Sequence, residues 1–411
     1  MSQQKTIWMI NQYASTPETG FIGRHYYLAE ELSKLGYRVY VIAASYAHSQ
    51  SNPVSFDGNY RIDTFNENFK FVWLKVPEYE KSTSKRRVLN WFEFAYKITK
   101  LNKIIPHKPD VILYSSLSLV GFLGAERLAL KNKVPLFFEV RDIWPLSLIE
   151  IGGVSSSHPF VRFLQWVEDR AYRKSDKVIS NLKNSVVHMV SRGLDPKKFH
   201  WIPNGVSPSE GVQCQELDVE INAKIPQDRF VVGYTGSIGI ANCLQNLLDA
   251  AYALKNDPNY LFVIVGKGEY KAVLQQRIID EHLDNVLILD PIPKTQIPSM
   301  LSRFDVCYIG LKDDPLFKYG VSPNKLFDYF YAAKPIIYAI DSGAYKPVLD
   351  AKAGYEIKPE NSNELVQAIQ QLASLTDIER KQIGLNGRKY VEEWHDYSSL
   401  AKKLEKVMFN Y

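Results

Sequence analysis

The sequence predicts an α/β protein built from two parallel-sheet domains. Three observations carry that expectation. The chain has 411 residues, more than a single hydrophobic core usually covers. Short apolar runs alternate with helical patterns along most of it, as strands buried on both faces by crossover helices do. The alternation also runs twice, interrupted by a polar stretch at residues 207–227.

In the first pass, residues 7–11 read as a strand and residues 24–35 as a helix closed by Gly36. Residues 38–43, 111–115, 136–140 and 177–180 read as further strands, and a Pro-Asn-Gly turn within HWIPNGV at residues 200–206 ends the set. Residues 207–227 have no period and read as a linker. In the second pass, residues 230–234, 261–265, 286–289, 306–309 and 335–338 read as strands, each followed by a helical pattern. From residue 362 onward the chain reads as mostly helical and charged.

Composition narrows the function classes. With 45% hydrophobic and 23% charged residues the chain is globular. Its net charge of +5 permits an anionic substrate or membrane surface without requiring nucleic acid, for which no signature is present. Cys214, Cys243 and Cys307 lie in no metal-ligand spacing, and no H-x-x-x-H, Asp-x-Asp or Cys-x-x-Cys cluster stands out, so neither a metal nor another cofactor is expected. No cleavable signal and no bilayer-length apolar run is read, which gives the expectation of a cytoplasmic protein.

The most informative stretch is GVSPNKLFDYFYAAKP at residues 320–335. Ser322 suits a helix N-cap and Pro323 the first helical position. The helix start then offers free N–H groups and a positive dipole end to a phosphate. Lys325 adds a full charge, and Asp328 could accept hydrogen bonds from sugar hydroxyls. The plain alternative is a capped amphipathic helix with a Lys325–Asp328 surface pair. Two other glycine-bearing segments follow strands: GYTGSIG at residues 233–239 and VGKGE at residues 265–269. Each alone is a weak signal, since glycines after strands often only make tight turns; the three together favour a nucleotide site.

In the first domain, TGFIGRH at residues 19–25 lies between the first strand and helix, where Gly20 and Gly23 would admit a substrate to the backbone and Arg24 would meet an anionic group. A flexible loop with an exposed arginine is the alternative. FEVRDIWP at residues 138–145 places charges at the end of an apolar strand, which is costly unless they are paired or used. A structural Glu139–Arg141 or Arg141–Asp142 pair is one outcome, a reactive site the other. Residues 85–97, KRRVLNWFEFAYK, mix basic and aromatic residues on a helix, which would suit either an anionic membrane surface or an ordinary packed helix.

These motifs, with IPNGV at residues 202–206, carry a family likeness over nearly the whole chain. The chain resembles retaining glycosyltransferases of the GT-B fold, in glycosyltransferase family four. Within that family it is most similar to the branch that builds bacterial O-antigen and capsule repeat units, including N-acetylfucosaminyl transferases. The resemblance implies two Rossmann-like domains facing across a cleft: an acceptor-binding domain over residues 1–208 and a donor-binding domain over residues 209–393, with a last helix at 394–411 packing back on the first. It implies transfer of a sugar from a nucleotide diphosphate sugar, here a UDP-sugar, to a lipid-linked saccharide. A cytoplasmic membrane surface is then an expected partner.

By position, the resemblance draws the donor site from Gly236, Ser237, Gly239, Gly266, Lys267 and Ile292. It adds Gly320, Val321, Ser322, Asn324 and Asp328, with Val321 and Ser322 giving backbone N–H groups to the diphosphate and Asp328 holding the ribose. Acceptor contacts fall on Gly20, Gly23 and Arg24. Arg141 and Asp142 fall where many members carry a His and an Asp near the reacting carbon. Two departures stand out. Gly320 replaces the first Glu of the family's Glu-x7-Glu motif, and Ser237 and Asn242 replace an Arg/Lys pair. Charge on the leaving group then falls to Lys325, with Lys318 behind it. The rival readings are a nucleotide-sugar epimerase of similar architecture and a non-catalytic sugar-nucleotide binding protein.

Overall fold

The protein is described here from a computed structural model, which covers residues 4–19, 23–47, 50, 52–79, 84–207 and 214–409. The chain divides into two units. The first takes in everything up to Pro203 together with Tyr397–Tyr411, and the second runs from Asn204 to Asp396.

The first unit is built on an eight-stranded sheet. Its strands are β1 (Thr6–Ile10), β2 (Arg38–Ala44), β3 (Tyr60–Asn66), β4 (Phe69–Leu74), β5 (Val111–Ser115), β6 (Leu136–Val140), β7 (Lys177–Ser180) and β8 (Phe199–Trp201). They lie in the order β3-β4-β2-β1-β5-β6-β7-β8, parallel except for the β3–β4 pair. Side chains alternate between two cores, as a period of two requires. Trp8, Ile10, Tyr40, Ile42, Ile112 and Tyr114 pack on one face. Ile7, Met9, Val39, Val41, Val111 and Leu113 pack on the other. That second face is covered by the helix Arg24–Lys34 and the last helix, Tyr397–Phe409, with Tyr27 stacked on Tyr397 at 4.9 Å between ring centroids.

The second unit has a six-stranded, wholly parallel sheet: β9 (Phe230–Thr235), β10 (Tyr260–Val265), β11 (Val286–Leu289), β12 (Val306–Gly310), β13 (Ile336–Ala339) and β14 (Gly354–Glu356). The order β11-β10-β9-β12-β13-β14 reverses direction at β9. After β9 the chain moves outward to β10 and β11, then returns to lay β12 on the other side. Such a reversal opens a crevice at the carboxyl ends of β9 and β12, the usual ligand position in open parallel sheets.

Four strands were not read from the sequence. β3 alternates polar and apolar residues on an exposed sheet edge and pairs antiparallel with β4, so neither fits the parallel βαβ rhythm. β8 and β14 have three residues each, too few for a period. The stretch read as a linker is largely structured. Residues 208–213 lie outside the described residues, but Gln215 N–H donates to the Thr295 carbonyl at 2.9 Å, Val219–Ala223 is helical and Ile225 is buried. Its polar surface hides the few apolar anchors that pin it to the second unit.

Candidate active site

In the second unit the three glycine-bearing segments converge. Gly236 follows β9, and its N–H donates to the Val265 carbonyl at the end of β10 at 2.9 Å. Ile238 N–H donates to the Lys267 carbonyl at 2.9 Å, closing the two loops on each other. Gly266 allows this approach, because a Cβ there would lie 1.8 Å from the Gly236 carbonyl oxygen. The β12 end joins in through Lys312 N–H, which donates to the Ala241 carbonyl at 3.1 Å.

The helix Asn324–Tyr331 is sewn to the same strand end. Thr235 N–H donates to the Tyr329 hydroxyl at 2.8 Å, so the helix cannot slide along β9. Its apolar side, Leu326, Phe327, Tyr329 and Phe330, is fully buried, which turns Lys325 and Asp328 away from the core. The Lys325 ammonium donates to the Tyr234 hydroxyl at 2.6 Å and lies 3.9 Å from the centroid of that ring. It also lies against the chain at Gly236, where a Cβ would be 2.8 Å away. Tyr234 in turn donates to the Ser237 carbonyl at 2.6 Å. Burial pushes the Lys325 ammonium down to about 7, against the pull of Asp328 upward.

The helix start differs from the sequence reading. The N-cap is Pro323, not Ser322, and the first helical residue is Asn324. Pro323 keeps an extended ψ of 128°, so the turn begins one residue later than the Ser-Pro pattern implies. No side chain caps the helix, and the Ser322 hydroxyl is shielded without a hydrogen-bond partner. The preceding turn is braced by Asn204, whose side-chain amide donates to the Ser322 carbonyl at 3.0 Å and the Asn324 side-chain oxygen at 3.2 Å. Buried His395 holds the Asn204 carbonyl through Nδ1 at 3.1 Å and lies edge-tilted against Phe327. Gly320 has φ 100° and ψ 149°, a region essentially confined to glycine.

The remaining donor-side residues are spread around this point. Ser237 and Lys267 are exposed, Gly239 donates to the Asn242 side chain at 3.4 Å, and Val321 and Ile292 are half-buried against the unit's core. Lys318 is exposed, 4.0 Å from Asp341. Sequence reasoning missed Tyr234, Tyr329, Asn204 and His395. Tyr234 and Asn204 sit inside motifs it quoted, but nothing local marks a tyrosine as a lysine's partner or a turn asparagine as a brace.

In the first unit, the charged residues of FEVRDIWP meet those of the first helix at the ends of β1, β5 and β6. Glu139 is fully buried and pairs with Arg24 at 2.9 Å and His25 at 2.8 Å. Ser115 donates to the same carboxylate at 2.6 Å. Burial would raise the Glu139 carboxyl, but Arg24 and then His25 hold it well below the usual range. Burial lowers His25, against the upward pull of Glu139; its Nε2 lies 2.8 Å from the Glu139 carboxylate and its Nδ1 3.3 Å from the Asn11 side-chain amide.

This overturns the reading of Arg24 as an acceptor contact. Its side chain is buried, and besides Glu139 it donates to the Pro203 and Ile202 carbonyls at 2.6 and 3.1 Å, leaving no face for a ligand. Only folding brings Glu139 to it, across more than a hundred residues. Of the two structural pairs open from the sequence, Glu139–Arg141 is not formed, since Arg24 and His25 take the carboxylate. Arg141 stays half-buried with its Nε shielded and unpartnered. Asp142 accepts from Trp144 Nε1 at 3.0 Å and Ser147 Oγ at 2.5 Å, which fixes the turn into the helix Leu146–Glu150. Gly23 opens the first helix with an extended backbone, and Gly20 lies outside the described residues. Among the described residues no group of three or more His, Cys, Asp or Glu is placed to hold a metal ion.

Both units carry sequence families of glycosyltransferases, on the GT-B fold that solved glycosyltransferases share. The chain carries the domains of that class in sequence: residues 24–210 match Glycosyltransferase Family 4 and residues 219–390 match Glycosyl transferases group 1. A putative colanic acid biosynthesis glycosyl transferase, WcaI of Escherichia coli, is 22% identical over 207 residues, covering 49% of this chain and 50% of that protein. The chain thus matches about half the length of this curated relative. Sucrose-phosphate synthase of Thermosynechococcus elongatus superposes with a TM-score of 0.71 at 16% identity, over 98% of both chains. Anabaena HepE, solved with UDP and glucose, superposes with 0.68 at 16%, over 99% of this chain and 100% of that one. At such identity these likenesses establish the fold.

Proposed function

We propose that the protein transfers a sugar, with retention, from a UDP-sugar to a lipid-linked saccharide in the synthesis of a bacterial surface polysaccharide. The observation that carries the donor half is the Lys325 ammonium held against Gly236 at the end of β9, beside an uncapped helix start. As the glycosidic bond to the diphosphate breaks, negative charge grows on the leaving phosphate. Fixed N–H groups and a cation act where that charge develops and need no reorganisation. Asp328, one turn along the same helix, would take the ribose hydroxyls. Arg141, with its shielded Nε, is the first unit's candidate for contact with the acceptor or the reacting centre.

The UDP bound in the HepE structure supports this donor class, and the likeness to WcaI supports a role in polysaccharide synthesis. A branch specific for N-acetylfucosamine rests on motif resemblance only. The test is a panel of nucleotide sugars screened for thermal stabilisation, since a ligand bound only by the folded protein raises the melting point. A UDP-sugar should stabilise the wild type and not Lys325→Ala. Stabilisation by no uridine nucleotide, or equal stabilisation of both proteins, defeats the reading.

A further inference from the structure

Two neighbouring helices of the first unit leave an apolar stripe uncovered. On the helix Lys85–Ile98, Trp91, Phe94 and Ile98 turn into the core, while Leu89, Phe92 and Tyr96 remain 66%, 46% and 62% exposed. Their spacing places them on one face. Phe92 stacks on Phe163 of the helix Pro159–Lys174 at 5.9 Å, and Phe163 on Trp166 at 6.1 Å, with Trp166 48% exposed. The aromatic surface therefore runs from one helix onto the next.

Basic residues surround it. Lys100 lies 4.9 Å from the Tyr96 ring centroid and Arg170 5.7 Å from that of Trp166, while Lys85, Arg86 and Arg162 are exposed. Residues 85–100 hold five basic side chains and one acidic one, Glu93, which Lys97 pairs at 2.9 Å. The whole chain has 50 basic residues against 45 acidic, so this segment holds most of the excess. Single exposed apolar residues are ordinary, but a continuous aromatic stripe with a basic surround is not.

We propose that this two-helix face seats the protein on an anionic lipid bilayer. The rings would enter the headgroup boundary and the lysines and arginines would meet lipid phosphates. Among the described residues no helix is long and apolar enough to cross a membrane, so attachment through this face is peripheral. The inference deepens the reading of a lipid-linked acceptor by naming the surface on which that acceptor is presented.

Co-sedimentation of the full chain with phosphatidylcholine vesicles, and with vesicles enriched in phosphatidylglycerol, tests it. Binding should require the anionic lipid and weaken with salt. Lys85→Glu with Arg86→Glu should weaken it about 25-fold or more, at about five-fold per basic residue lost. Leu89→Ser, Phe92→Ser and Trp166→Ser together should abolish it; Phe92 and Trp166 are about half exposed and stack through Phe163, so the melting point should fall somewhat while the protein stays folded. UDP-sugar stabilisation should persist in both variants, which separates failure of this proposal from failure of the donor assignment. Equal binding to neutral vesicles, binding unchanged in the variants, or a self-association that the triple variant dissolves would each overturn it.

Discussion

The Lys325 ammonium donates to the Tyr234 hydroxyl at 2.6 Å while lying over the face of the same ring. A desolvated cation held by a neutral hydroxyl and an aromatic face, with Asp328 offsetting only part of the cost of its burial, is poised to gain from an incoming anion. The Lys325–Tyr234 contact thus links the helix Asn324–Tyr331 to the end of β9 at the point where a diphosphate would arrive.

Replacing Lys325 with Ala should lower turnover by about 10²–10³, the usual loss on removing one charge-stabilising donor. The fold should survive, because Lys325 belongs to neither apolar cluster of its unit. Steady-state kinetics with a circular-dichroism melt decides this; turnover near wild type in a folded variant rules out the role.

Lys325 also sets a pH dependence. With its pKa at about 7 in the free protein, binding a UDP-sugar should raise it and take up a proton. Affinity is then fully present below about 7 and falls as the pH rises through that value, by up to tenfold per unit. The diphosphate of a UDP-sugar has no proton to lose in that range, so the slope belongs to the protein. Without ligand the sign reverses for stability: the unfolded chain holds the proton up to the ordinary value of 10.5, so stability rises between the two. Titration calorimetry across this window should show the slope, and its persistence in Lys325→Met would reassign it.

Asn204→Ala removes two donated hydrogen bonds from the turn before the helix. Leaving two acceptors unsatisfied costs about 1–3 kcal/mol each when they are buried. Donor affinity should fall at least five-fold, with a smaller change in turnover at saturating donor. A drop in turnover alone would mean the turn does not position the diphosphate.

Gly320→Glu would restore the family's missing carboxylate on paper. At φ 100° and ψ 149° the new side chain adds strain of about 1–3 kcal/mol, so the variant should melt lower and bind donor no better. Tighter donor binding would show that the turn re-forms readily.

Glu139→Gln leaves Arg24 buried without its counter-charge, at a cost of about 3–5 kcal/mol. Pairing it with Arg24→Met should recover much of the loss. In the wild type, the depressed Glu139 pKa contributes stability that is present above the ordinary glutamate value and is lost as the pH falls below it. Denaturant melts from neutral to acid pH should show that loss in the wild type and not in the double variant.

How much of this was legible follows from the range of each interaction. The strands of both sheets were visible where burial on two faces makes an uninterrupted apolar run, as in TIWMI and YLFVIV. The edge strands β3, β8 and β14 were not, because they are polar or too short to carry a period, and β4 was missed although FKFVWL is largely buried, because it follows a strand and not a helix. The turn before the helix Asn324–Tyr331 was legible from its glycine and proline, although the cap fell one residue later.

The amino-acid order by itself determined two rounds of βα alternation, the glycine-bearing strand ends and the presence of Lys325 at a helix start, because each is written in spacings of a few residues. Only the tertiary structure decided what those groups touch. It took Arg24 out of the binding residues by folding Glu139 and the Pro203 carbonyl around it, and it set Tyr234 beneath Lys325 and Asn204 behind Ser322. Those partners are separated by roughly a hundred residues or more in the chain, and a buried charge or amide is satisfied by whichever group the sheet order brings within 3 Å, which no local pattern encodes.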